Sequence, residues 1–90
     1  MKHYNISVFG KVQGVFFRAS TKIKAVELGI KGFVKNQYDG SVYIEAEGEM
    51  EQLQELLDWC NQGPAKANVT KVNVEESEMM GFTKFEVKYF

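Results

Sequence analysis

Hydrophobic residues recur along this chain with two different spacings, and the order of those spacings constrains the fold more than any other feature. Segments in which every second residue is apolar predict strands with one buried face. They cover residues 3–10, 32–36, 42–48, 71–75 and 85–89. Apolar residues three or four positions apart predict amphipathic helices. They are Ala19, Ile23, Val26 and Ile30 in the first helix and Met50, Leu53, Leu56, Leu57 and Cys60 in the second.

Glycine and proline mark the ends of these segments. Gly29 is placed to close the first helix as a left-handed cap. The pair Asp39-Gly40 predicts a hairpin between the second and third strands. The second helix must end before Gly63-Pro64, and residues 75–81 are read as a polar turn.

The resulting order is strand, helix, strand, strand, helix, strand, followed by a short final strand. Two split βαβ units of this kind close naturally as a ferredoxin-like fold. We therefore predict an α+β two-layer sandwich, in which an antiparallel sheet carries both helices on one face. Ninety residues are enough for one domain with a modest core.

Composition excludes several classes of function. A net charge of −1 argues against a nucleic-acid partner, because nucleic-acid binders rely on a strongly basic face. No apolar run approaches the length of a membrane span, and the first residues do not resemble a signal peptide. We therefore expect a cytoplasmic protein with no membrane partner, and nothing in the sequence predicts more than a monomer.

The chain has one cysteine, Cys60, and one histidine, His3. A single cysteine excludes an internal disulfide, and the two residues together cannot build a Cys/His zinc site. Cys60 lies on the apolar stripe of the second helix and is interpreted as a small buried residue. A Ser-His-Asp triad would need His3, which lies on the first strand. We therefore expect chemistry without a metal, a cofactor, a thiolate or an imidazole.

Arg18 is the only arginine, beside ten lysines, and it ends the segment from Gly10 to Phe17. A guanidinium can grip two phosphate oxygens at once, whereas an ammonium is a point charge. None of the residues that enter the first helix carries a capping oxygen, so the first amides of the helix need an acceptor. Amides and guanidinium together predict a phosphate cradle. A surface arginine after an ordinary strand-to-helix connection is the alternative, since the spacing matches neither a Walker loop nor a dinucleotide fingerprint.

Asn36 ends the second predicted strand. An asparagine just before Asp39-Gly40 also suits a turn, and that structural role is the alternative to a functional one. The first and second strands flank the first helix, so the end of the second strand could lie near the loop. An amide side chain there offers one acceptor and donors, which suits it to positioning a water molecule.

The segment Gly10-Lys11-Val12-Gln13-Gly14-Val15-Phe16-Phe17-Arg18 closely resembles the active-site loop of the acylphosphatase family. A second segment, Gly32-Phe33-Val34-Lys35-Asn36 followed by Asp39-Gly40-Ser41-Val42, resembles the second signature of that family. The resemblance covers essentially the whole chain and implies a single acylphosphatase-like domain over residues 1–90. It implies that Arg18 binds phosphate and that Asn36 positions the water. It also implies that backbone amides of the loop bind phosphate, namely those of Gln13, Gly14, Val15, Phe16 and Phe17.

The implied reaction is hydrolysis of an acyl phosphate to a carboxylate and inorganic phosphate by in-line attack of water. A carboxylate is a good leaving group, so Arg18 and the loop amides would suffice without a metal. The competing hypothesis is a non-catalytic anion-binding regulatory module of the same fold. Two positions depart from the family pattern: Phe33, commonly tryptophan and interpreted as a packing residue, and Gln37, often a hydroxyl residue.

Overall fold

A computed structural model describes residues 1–89 of the chain. Seven elements follow one another: β1 (Lys2–Lys11), α1 (Phe17–Leu28), β2 (Lys31–Asn36), β3 (Val42–Gly48), α2 (Met50–Gln62), β4 (Asn68–Ser77) and β5 (Phe85–Lys88). They form one five-stranded sheet in the order β4-β1-β3-β2-β5. The predicted α+β ferredoxin-like class is confirmed, with every predicted strand and helix present.

The sheet is mixed, whereas the sequence predicted an antiparallel one. The first four strands pair antiparallel, β1 with β3 and β4, and β2 with β3. The final strand, β5, pairs parallel to β2, with Gly32 opposite Phe85 and Lys35 opposite Lys88. The chain reaches this edge by crossing from β4 through residues 78–84, a connection that alternation within a strand does not reveal.

The first helix turns a different face to the core from the predicted one. The spacing predicts that Ile23 and Val26 lie on the buried stripe, but they are 68% and 60% exposed. The buried stripe instead contains Phe17, Thr21 and Ala25. Thr21 can lie there because its hydroxyl donates a hydrogen bond to the Phe17 carbonyl over 2.7 Å. Gly29 ends the helix in a left-handed conformation, as predicted.

The core lies between the two helices and one face of the sheet. Its fully buried side chains come from alternate positions of the central strands and from α2, and they include Ile6, Val8, Val34, Val42, Ile44, Leu53, Leu56 and Cys60. Cys60 is buried as predicted, and burial raises the pKa of its thiol to about 12. It is therefore not a nucleophile at neutral pH.

Residues 78–84 cross the opposite face of the sheet, and we call them the strap. The Phe82 ring contacts the rings of His3 and Phe33, with centroids 5.8 Å apart in each case. The Glu47 carboxylate accepts hydrogen bonds from the backbone N–H groups of Met80, Gly81 and Phe82. Residues 75–77, read as part of a turn, extend β4 because they pair with β1. The strap thus anchors the crossover that places β5.

Neither helix within residues 1–89 has both the length and the hydropathy needed to cross a membrane.

Candidate active site

The loop between β1 and α1, residues 12–16, has an unusual backbone. Gly14 has a φ of 72° and Phe16 a φ of 63°, and Phe16 is the one non-glycine residue with positive φ in the described chain. Such a conformation costs a bulky residue about 1–3 kcal/mol and is typical of functional sites. Backbone in which left-handed residues alternate with ordinary ones turns successive N–H groups toward one side and favours anion binding.

Helix α1 starts at this loop without a side-chain cap, as the sequence predicted. Phe16 occupies the N-cap position, and no acidic residue lies in the first turn. The first bond of the helical ladder is donated by Ser20 to the Phe16 carbonyl over 3.0 Å. Among the described residues, no group accepts from the N–H of Phe17, Arg18 or Ala19. These amides, at the positive end of the helix dipole, are available to an anion.

The Arg18 side chain is held by the end of β5. Its guanidinium donates a hydrogen bond to the Lys88 carbonyl over 3.2 Å and lies 4.6 Å from the centroid of the Tyr89 ring. One backbone carbonyl and one aromatic face restrict the side chain, and within residues 1–89 no other group accepts from the guanidinium. A restricted guanidinium loses less conformational entropy when it binds a ligand.

Arg18 and Asn36 line the same cavity. Its volume is about 310 Å³, enough for a phosphate group and part of a substrate. Asn36 is the last residue of β2, and its side chain points to the same side of the sheet as α1, because Val34 two positions earlier is buried in the core. The complete lining is Val12, Gly14, Phe16, Phe17, Arg18, Ala19, Asn36, Val87 and Tyr89.

The predicted site residues divide between this cavity and its surroundings. Gly14, Phe16, Phe17, Arg18 and Asn36 line it. Val15 is 4% exposed, and its side chain belongs to the core. Gln13 lies beside a second cavity of about 710 Å³, whose lining is Gln13, Lys35, Asn36, Gln37, Tyr38, Asp39 and Tyr89. Asn36 and Tyr89 are common to both cavities.

Sequence reasoning missed the contribution of β5. Val87 and Tyr89 line the cavity, and the Lys88 carbonyl binds Arg18. The alternation of Phe85, Val87 and Tyr89 predicted a strand, but no local signal showed that this strand pairs with β2. The pairing was needed to bring residues 87–89 within reach of residue 18.

The two departures from the family pattern are accommodated by local contacts. The Phe33 ring packs against Tyr43, with centroids 6.0 Å apart, which confirms its interpretation as a packing residue. The Gln37 Oε1 lies 3.3 Å from the Ser41 hydroxyl oxygen, whose single hydrogen is donated to Asp39. Neighbouring Asp39 accepts hydrogen bonds from the hydroxyl and the N–H of Ser41, and they lower the pKa of its carboxyl group.

The single histidine of the chain lies outside this cavity. His3 lies on the sheet face under the strap, where its Nδ1 is 2.6 Å from a Glu47 carboxylate oxygen. It therefore does not line the cavity that contains Arg18. Within residues 1–89, no three His, Cys, Asp or Glu side chains are placed to hold a metal ion together.

Comparison with known proteins identifies the family. Residues 4–87 match the family model described as Acylphosphatase. An acylphosphatase of Methylococcus capsulatus is 48% identical over 88 residues, which are 97% of this chain and 96% of that protein. An acylphosphatase of Thermotoga maritima is 47% identical over 90 residues, which are 100% of this chain and 100% of that protein. The crystal structure of acylphosphatase from Bacillus subtilis has a TM-score of 0.96 at 38% identity, over 99% of this chain and 100% of that one.

These relatives are enzymes by name and align over nearly their whole length, so the predicted hydrolase activity is confirmed at the level of the family. The chain belongs to the acylphosphatase family.

Proposed function

We propose that this chain hydrolyses the carboxyl–phosphate bond of acyl phosphates at the cavity lined by Arg18 and Asn36. The observation that supports the proposal best is the convergence of three features on one cavity. A restricted guanidinium, the unbonded amides of an uncapped helix and an amide side chain come from separate parts of the chain.

The phosphoryl group binds to Arg18 and to the backbone amides of the loop and the first helical turn. Phosphoryl transfer places charge on three equatorial oxygens and depends mainly on positioning and charge stabilisation. The guanidinium and the amides supply that stabilisation, and one preorganised donor of this kind is worth about 10²–10³ in rate. The leaving carboxylate is stable as an anion, so the reaction needs no strong general acid and no metal ion.

Asn36 holds the attacking water in line with the bond that breaks. The water oxygen forms a bond to phosphorus as the bond between phosphorus and the carboxylate oxygen breaks. An amide side chain is not a base at neutral pH, so the water proton passes to a phosphate oxygen of the substrate. The products are a carboxylate and inorganic phosphate, and phosphate is expected to inhibit by binding to the same cradle.

Hydrolysis of a simple acyl phosphate such as benzoyl phosphate tests the proposal, with and without a chelator. The unsubstituted protein should turn over at the same rate in both conditions. R18A and R18K should both lose turnover and phosphate inhibition, because an ammonium cannot replace the guanidinium fork. Lys22→Ala removes an exposed cation from the same helix and is the matched control. Full activity of R18K would contradict the proposed clamp.

Asn36→Ala separates catalysis from binding. We expect a large loss of kcat with little change in the inhibition constant for phosphate, because Asn36 orients the water and does not bind the phosphoryl group. Asn73→Ala, on the exposed side of β4, is the control. Equal loss of both quantities would show that Asn36 binds the phosphoryl group.

The same assay distinguishes an enzyme from the competing regulatory module. A sensor of this fold would bind phosphate but would not turn over an acyl phosphate. The relatives named as acylphosphatases over the full length of the chain favour the enzyme.

We also propose that residues 1–90 act as one domain, as a cytoplasmic monomer, without a nucleic-acid or membrane partner. A single buried free thiol suits a reducing compartment. The net charge of −1 does not favour a polyanionic partner. Size-exclusion chromatography with light scattering, at several protein concentrations, tests the monomer.

A further inference from the structure

The Gln13 side chain connects the loop that carries the phosphate-binding amides to the hairpin that carries Asn36. Its Nε2 donates one hydrogen bond to the Gln37 carbonyl over 2.8 Å and another to the Ser41 carbonyl over 2.9 Å. Carbonyl oxygens only accept, so both hydrogens of the amide nitrogen are used. The side chain is partly buried between the two segments.

The two carbonyls that Gln13 contacts are also the ones that close the hairpin. The Gln37 carbonyl accepts the N–H of Gly40 over 3.1 Å, and the Ser41 carbonyl accepts the N–H of Gln37 over 2.9 Å. We call residues 37–41 the hairpin turn. Each carbonyl has two lone pairs, so Gln13 binds beside the existing bonds and does not compete with them. The turn is thereby held against the loop.

Asn36 immediately precedes this turn. Asn36 is the last residue of β2, so the position of its side chain depends on the backbone at residues 36 and 37. That backbone is attached to the loop by the Gln13 side chain across 24 sequence positions. A displacement of about 1 Å in an active-site group can reduce the rate about 100-fold.

We propose that Gln13 is a positioning residue for hydrolysis: its side chain holds Asn36 in register with the phosphate cradle. This inference rests on the proposed function of the same site. It assigns to the Gln13 side chain a role different from the phosphate binding that was predicted for its backbone amide.

Gln13→Met tests the proposal, since it keeps the length of the side chain and removes both donors. We expect kcat for benzoyl phosphate to fall about 10-fold to 100-fold, with the inhibition constant for phosphate close to the unsubstituted value. Gln54→Met is the matched control, because Gln54 lies exposed on α2, where its side chain donates a hydrogen bond to Asp58. An unchanged kcat, or equal losses in kcat and phosphate inhibition, would overturn the proposal.

A double-mutant cycle separates positioning from general destabilisation. If Gln13 acts through Asn36, Gln13→Met should have little further effect in a protein that already carries Asn36→Ala. A merely structural role would reduce kcat by the same factor in both backgrounds, and that result would contradict the inference. Thermal unfolding of each variant shows whether the assay temperature lies well below its transition.

Gln13→Glu adds a readout that depends on pH. Its carboxylate would face two carbonyl oxygens, which raise its pKa above the ordinary value of about 4.3. We expect a larger loss of kcat than in Gln13→Met at pH 7, and a partial recovery as the pH falls and the protonated group donates again. If the ratio of kcat between Gln13→Glu and Gln13→Met does not change with pH, the inference is refuted. Absence of turnover in the unsubstituted protein would instead refute the proposed function.

Discussion

The buried carboxylate of Glu47 offers a sharp test of how this fold holds its last strand. Its side chain is 2% exposed and accepts four hydrogen bonds. One oxygen accepts from Nδ1 of His3 over 2.6 Å and from the N–H of Met80. The other accepts from the N–H groups of Gly81 and Phe82 over 3.1 and 3.0 Å. The carboxylate thus joins β1, β3 and the strap.

The substitution Glu47→Gln keeps the shape of the side chain but removes one of the two acceptor oxygens, and with it two of the four hydrogen bonds. An amide has one oxygen, so one pair of donors must face an NH₂ group. Leaving two buried donors without partners costs about 1–3 kcal/mol each, or about 2–6 kcal/mol in total. Loss of one partner from a buried ion pair costs about 3–5 kcal/mol. We therefore expect a loss of about 3–5 kcal/mol, against a total stability of about 5–14 kcal/mol for a domain of this size.

The pH dependence of stability gives an independent check, because the fold shifts the pKa values of Glu47 and His3 in opposite directions. Burial alone raises the pKa of Glu47, but hydrogen bonds from His3, Met80 and Phe82 and the charge of His3 outweigh it and lower the pKa. Burial alone lowers the pKa of His3, but hydrogen bonds to Glu47 and Asn5 and the charges of Glu45 and Glu47 raise it. Both His3 nitrogens face acceptors, which favours the charged ring.

The direction of each pKa shift determines the pH range in which that group stabilises the folded state. The Glu47 contribution is present above the ordinary pKa of 4.5 and is lost as pH falls through the lowered folded value. The His3 contribution is fully present below the ordinary pKa of 6.5 and is lost as pH rises through the raised folded value. Stability from this pair should therefore be greatest between pH 4.5 and 6.5. In Glu47→Gln the decline above pH 6.5 should shrink.

Urea unfolding at pH 5.5 and at pH 8.5, monitored by Trp59 fluorescence, measures both effects. A loss of 3 kcal/mol corresponds to a fall in Tm of about 12 °C or more for a domain of this length. Glu55→Gln, on the exposed side of α2, is the matched control. A loss below about 1 kcal/mol, or an unchanged pH dependence above pH 6.5, would refute the reasoning.

Two further predictions concern the close approach of strands and the phosphate cradle. A Cβ at Gly32 would lie 1.8 Å from the Glu45 carbonyl oxygen, whereas a Cβ at Gly40 would meet nothing within 4 Å. Gly32→Ala should therefore lose more than about 4 kcal/mol in urea unfolding, and Gly40→Ala only the cost of its left-handed backbone, about 1–2 kcal/mol; similar losses would contradict the register of β2 and β3. Inorganic phosphate at 100 times its Kd should stabilise the protein by about 2.7 kcal/mol, seen as a rise in Tm. Arg18→Ala should abolish that rise, and a rise of equal size in the variant would place the anion elsewhere.

Local chemistry predicted much of the candidate site from the sequence. The absence of a capping side chain before Arg18 is a property of adjacent residues, and the structure retains it. The positive φ of Gly40 and the end of α1 at Gly29 also depend on neighbouring residues alone. Such features are visible in a sequence because the groups involved lie within a few positions of one another.

The buried face of α1 was harder to predict because two stripes of the helix suit a core. Ile23 and Val26 form the more apolar stripe, yet the stripe through Phe17, Thr21 and Ala25 is buried. The Thr21 hydroxyl is satisfied by the carbonyl one turn earlier, so its burial costs little. A prediction based only on the spacing of apolar residues treats Thr21 as polar and therefore does not place it in the core.

The sequence by itself determined the order of strands and helices, the uncapped helix start and the chemical identity of the groups proposed to bind phosphate. Only the tertiary structure decided that Asn36 shares a cavity with Arg18, that β5 lies parallel to β2, and that Gln13 connects loop and hairpin. These relations depend on which strands pair and in which register. Strand pairing depends on which side chains become buried across the whole sheet, so it cannot be predicted from a residue's immediate neighbours in the sequence.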